Sequence, residues 1–210
     1  MLTQDGLISL GAFGLLLFYH LFLAWKIRKD PAATSLGLAH IIRREWVQEI
    51  LKEGRDLLGV HTLRNQVMAA SFLASTAILI SLGVLGLAAN PSFYTGFLAV
   101  LGDGNPNSSA ALAKLVLIST NFFVAFFNFT LSIRYYNHAS FGVGLKSFES
   151  LPFPPEFILT IMERGSRHYF IGMRGYYLSV PLLLWMLGPF WLLFGTLALL
   201  LVLFFLDRMV

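Results

Sequence analysis

Four stretches of this chain, at about residues 7–27, 66–89, 112–133 and 177–206, are apolar almost without interruption, and that one property closes most of fold space. A hydrocarbon core about 30 Å thick takes roughly 20 apolar residues of helix, and each run is long enough. The expected fold is an all-α integral membrane protein with four transmembrane helices and amphipathic cytoplasmic helices, one membrane domain over residues 1–210. The first run has no basic residue before it and no small-residue cleavage site after it, so it reads as a retained span. The last run would be about 45 Å long if straight. With Pro181, Gly188 and Pro189 inside it, it must tilt, kink or break. Pro189 has no N–H for the carbonyl of Trp185, which is left for a neighbouring helix, a water or an ion.

Charge orients the spans. Only 12% of residues are charged, against 57% hydrophobic, and the basic ones cluster in two connections. Lys26, Arg28, Lys29, Arg43, Arg44, Lys52, Arg55 and Arg64 lie around the connection between the first two spans. Arg134, Lys146, Arg164, Arg167 and Arg174 lie between the third and fourth. The connection at 90–111 has Asp103 and no cation before the next span. Cytoplasmic loops collect Lys and Arg, so the chain is expected in the inner (plasma) membrane, multi-pass, with both termini outside. This also explains the net charge of +4 without any nucleic-acid partner. The absence of cysteine removes disulfides, thiolate metal sites and cysteine nucleophiles together.

The inner connections are too long to be turns. In the first, at 34–60, Ala39, Ile42, Trp46, Ile50 and Leu57 recur at helical spacing, with Arg43, Arg44, Glu45, Gln48, Glu49, Lys52 and Glu53 opposite. Pro31 breaks the chain ahead of this helix and Thr34 caps it. Gly54, on the apolar line, is expected to admit a close neighbour, and the mixed charge favours packing on protein over adhesion to anionic lipid. In the second, at 154–175, prolines open a short helix, Gly165 breaks it, and a second short helix follows. Arg164, Arg167 and Arg174 fall on one stripe, which suits anchoring to lipid phosphate or an anion-attracting vestibule.

The third span poses the functional question. Lys114, Asn121, Ala125, Asn128, Ser132 and Tyr135 share one side of the helix, while Phe122, Phe123, Phe126, Phe127 and Phe129 take the other directions. Polar groups at membrane depth are costly unless paired or wetted. The stripe therefore lines a pore or solute site, or joins helices by hydrogen bonds. On the second span Ala70, Ala74, Ala77 and Ser81 form a small-residue face expected to meet that stripe. Four helices enclose little volume, so a permeation route would lie on the axis of a homo-oligomer.

The histidines give no ligand pair of HxxxH type. His20 and His138 could share the inner interface as weak metal candidates, and no cofactor is expected. Arg64 is expected to reach lipid phosphate or to pair with Asp56 or Glu53. No GxSxG, P-loop, GxGxxG or close pair of intramembrane carboxylates supports a hydrolase, an ATPase or a carboxylate proton pump.

The segments HTLRNQVMAASFLAST (61–76), RYYNH (134–138) and RGYYLSVPLLLWMLGP (174–189) run across most of the chain. Taken together they resemble the small multispanning membrane proteins of bacteria and plants grouped as a domain of unknown function. The resemblance implies about four spans and no established activity; His61 stands where the family pattern would have glutamine. The functional expectation is an oligomeric channel or transporter-like protein for small ions or solutes, surrounded by membrane lipid. Its rivals are a non-conducting scaffold that recruits a partner, and a haem, metal or lipid enzyme using His20 and His138.

Overall fold

The computed structural model describes residues 4–90, 96, 109–145, 152 and 154–208; Asp103 and Lys146 fall outside them. The described chain is helical: α1 (Gln4–Lys29), α2 (Ser35–Glu53), α3 (Asp56–Ala89), α4 (Ser109–Val143), α5 (Glu156–Leu184) and α6 (Pro189–Asp207). Five of these, all but α2, are long and apolar enough to cross a membrane.

The fourth apolar run is thus two helices and not one span. After Leu184 a single 3-10 turn, Trp185–Leu187, leads to Gly188 at φ 138°, a backbone conformation open to glycine and hostile to side chains. Pro189 then starts α6, where its missing N–H costs nothing. The chain reverses here. Gly195 on α6 sits close against Pro181 and Leu184 of α5, and farther along Asp207 meets Arg174. The carbonyl of Trp185 is taken as Pro189 requires, by the Gly188 N–H and by Lys114 Nζ of α4, each at 3.1 Å.

This hairpin changes the topology expected from sequence. Trp185 Nε1 donates to Ser9 Oγ at one end of the bundle, whereas Arg208 pairs by backbone with Thr34 beyond the other end of α1. The described ends of the chain therefore lie at opposite ends of the bundle, not on one side.

The central helix is α4, packed along its length on α3 and α5. Against α3 the seam is the small-residue face Ala70, Ala74, Ala77 and Ser81, with Ser81 and Ser119 exchanging hydroxyl-to-carbonyl bonds of 2.9 and 3.0 Å. That face meets the Ala111, Ser119 and Phe122 side of α4, not the asparagine stripe. Against α5 the seam is built on glycines. A methyl at Gly165, Gly172 or Gly175 would lie 3.1, 2.8 or 3.0 Å from Tyr136, Phe129 or Ala125. Gly165 is accordingly a packing position within one continuous helix, where the sequence suggested a break. Phe122 and Phe129 are buried in these seams, while Phe127 is exposed.

Length differences create a second layer. At 34 and 35 residues, α3 and α4 would each extend about 50 Å, whereas the 19-residue α6 reaches only about 28 Å. The overhanging ends of α3, α4 and α5 form a separate apolar core with α2, around Val47, Ile50, Leu63, Tyr136, Val143 and Met162. Thr34 Oγ1 accepts the Gly37 N–H at 3.1 Å and caps α2. The buried face of α2 is rotated from the one expected: Ile50 is inside with Val47, Ile42 is exposed, and Leu57, exposed too, belongs to α3. A side chain at Gly54 would meet nothing within 4 Å; at φ 66° the glycine terminates α2.

Candidate functional site

The basic cavity lies where α2 folds over the ends of the bundle. Its volume is about 810 Å³, and its walls come from the end of α1, the first turns of α2, Tyr135 of α4 and α5 from Thr160 to Phe170. Arg43, Arg164 and Arg167 line it with His40 and His168, against Glu163, the one carboxylate among the described lining residues. Ile27, Leu36 and Phe170 supply an apolar part of the wall.

Arg43 is the best-fixed cation. It sits on α2 one turn before Val47, so the helix that buries Val47 carries the guanidinium inward. Its Nε is buried with no hydrogen-bond partner. Burial pushes its pKa below the ordinary arginine value, and the neighbouring Tyr136 and Glu163 oppose that shift. An arginine in this position stays charged, so an unmet N–H persists beside the cavity. His40 Nε2 lies 3.4 Å from Glu163 Oε1 and ties α2 to α5 across the opening.

From the α4 stripe, Tyr135 reaches the cavity wall, beside His168 of α5. Tyr135 stacks on His168, with ring centroids 5.5 Å apart and planes 11° from parallel. His168 Nδ1 is 2.9 Å from Asn128 Oδ1, and Asn128 Nδ2 donates to Val124 O at 2.9 Å. An amide oxygen only accepts, so His168 carries its proton on Nδ1. Ser132, one turn from Asn128, is fully buried with an unpartnered hydroxyl. The upper half serves packing: Asn121 Nδ2 donates to Gly175 O at 2.8 Å, and Lys114 Nζ holds Trp185 O.

The expected basic stripe divides. Arg164 and Arg167 are exposed at the cavity; Arg134 on α4 is exposed but does not line it. Arg174 is 6% exposed and buried in the bundle, where Nη2 donates to both oxygens of Asp207 at 2.5 Å. Tyr19 Oη donates to the same carboxylate at 2.7 Å. Asp207, never singled out from sequence, thus joins α1, α5 and α6. A carboxylate one residue beyond an apolar run was the available signal.

The remaining candidates are separate. His20 Nδ1 is 2.7 Å from Leu16 O, and its Nε2 is buried without a partner. His138 is exposed and lines a smaller groove with Phe141, Phe157 and Ile161. Arg64 is exposed, and Glu53 pairs with Arg55 at 2.6 Å. No three His, Cys, Asp or Glu side chains among the described residues are grouped to hold a metal ion.

Planar guanidinium groups suit oxyanions, which they meet through paired N–H donors. The cavity offers three such groups and one opposing carboxylate. Neither the curated proteins nor the solved structures include a match to this chain. A family model matches residues 8–210, and the chain belongs to that family, described as a protein of unknown function, DUF599.

Proposed function

We propose that this is a transporter-like membrane protein that captures a small oxyanion, free or carried on a lipid headgroup, in the basic cavity between α1, α2, α4 and α5. The observation that carries the proposal is the convergence of Arg43, Arg164 and Arg167 on a cavity of about 810 Å³, with the buried Nε of Arg43 lacking an acceptor. Cations in a partly apolar cleft raise the local concentration of anions. In this proposal the Tyr135 and His168 wall, with Asn128 holding His168 from behind, orients the bound group, and the stripe above it is used to hold α4 to α5.

The orientation also belongs to the proposal. Lys and Arg crowd the end of the bundle that carries α2, which assigns that end to the cytoplasm, the N-terminus to the outside and the C-terminus to the inside. Anionic solute would enter from the cytoplasmic leaflet or the cytoplasm. A homo-oligomer is a separate proposal, since one copy builds the whole cavity; native mass spectrometry in mild detergent tests it.

Liposomes containing the purified protein test transport. The proposal expects uptake of labelled phosphate or sulfate that falls on Arg43→Gln. Binding without uptake would leave a receptor for the same ligand, and an uptake indifferent to Arg43 would remove the cavity from the route.

A further inference from the structure

We infer that Arg174 is an inner oxyanion site, closed off from the basic cavity by Phe170 and held shut by Asp207. It rests on the cavity being an anion site and extends that site toward the membrane interior.

The geometry of the ion pair is the starting point. A single nitrogen, Nη2, serves both oxygens of Asp207, so Nη1 and Nε are left over, and both are buried with no partner. A guanidinium meeting a carboxylate fork to fork would engage two nitrogens. Here two of the three have no acceptor in a place no water reaches. A buried donor without an acceptor is costly, and arginine cannot escape by losing its proton. An oxyanion supplies what is missing, because it brings several acceptor oxygens and a negative charge to a cation whose present counter-ion is shared with Tyr19.

Phe170 connects this site to the cavity. It is one turn before Arg174 on α5, its ring lies over the Arg174 guanidinium with Cζ 4.5 Å from the centroid, and it also lines the cavity. One ring therefore separates the outer arginines from the inner one. Turning it aside exposes Nη1 or Nε to a ligand already held by Arg43 or Arg167. Asp207 is then a competitor for the same cation, and it ends α6 just before Arg208, which pairs by backbone with Thr34 near the cavity. Ligand arrival at Arg174 would loosen the Asp207 contact and with it the hold of α6 on α1 and α5.

Equilibrium dialysis of the full chain in detergent, with labelled orthophosphate in one arm and a short-chain lysophosphatidate in the other, tests the inference. Phe170→Ala and Asp207→Asn are each expected to take up a second equivalent beyond the wild type, and adding Arg174→Gln to either should abolish that gain. A gain with lysophosphatidate alone assigns the ligand to lipid; a gain with orthophosphate assigns it to a free anion. The inference is overturned if both single variants bind as the wild type does, or if the gain survives Arg174→Gln. Should Asp207→Asn fail to fold, Phe170→Ala decides, since it leaves the ion pair in place. The cavity reading fails separately, when wild-type binding is unchanged by Arg43→Gln and Arg167→Gln. If no form binds either probe, both are lost.

Discussion

Arg174 of α5 donates through one nitrogen to both oxygens of Asp207 on α6, and the Tyr19 hydroxyl of α1 donates to the same carboxylate. Three helices meet at one buried acid. Removing one partner leaves the other charge buried and uncompensated, so Asp207→Ala and Arg174→Ala should each destabilise the protein by roughly 3–5 kcal/mol. Replacing both, as in Arg174→Met with Asp207→Leu, should cost distinctly less than either single change. Thermal unfolding in detergent checks this, and additive losses would mean that the pair is not the joint it looks to be.

The α4–α5 seam gives a second prediction. Gly172 faces the Phe129 ring so closely that even a methyl would sit 2.8 Å from it. Gly172→Leu should therefore cost roughly 1–3 kcal/mol by overpacking. Asn121→Leu should cost only about 1 kcal/mol, the usual worth of one hydrogen bond between membrane helices. Reversed magnitudes in the same unfolding assay would move the weight of the seam from shape to polarity.

Topology can be tested directly because the chain has no cysteine. Single cysteines at Asp5 and Arg208 should react with a membrane-impermeant maleimide from opposite sides of sealed vesicles. Labelling of both from one side would contradict the hairpin at Gly188.

Much of this architecture was legible in the chain. The first three apolar runs, the cap at Thr34 and the freed carbonyl of Trp185 follow from local rules and have their expected counterparts, whereas the small-residue face of the second run is buried as expected but against the Ser119 side of α4. What hydropathy could not separate was α5 from α6, because no charged residue interrupts the run at Gly188 and Pro189 and a reversal looks like a kink. The seam glycines were hidden for a different reason. A glycine that ends a helix, such as Gly54, and one that admits an aromatic ring, such as Gly172, are the same letter, and the partner helix decides between them. The cavity was half legible: Arg164 and Arg167 were visible as a stripe. Arg43 was expected on the solvent side of α2, and only the rotated packing of Val47 and Ile50 brings it inward.

The central claim is that Arg43 and its neighbours hold an oxyanion, and direct binding tests it best. Titration of orthophosphate into the detergent-purified protein, followed by calorimetry at low ionic strength, should give saturable binding that weakens about tenfold or more on Arg43→Gln, the loss of one charge-assisted contact of about 1.5–3 kcal/mol. Binding of equal strength in the wild type and in Arg43→Gln, with both proteins folded, would contradict it.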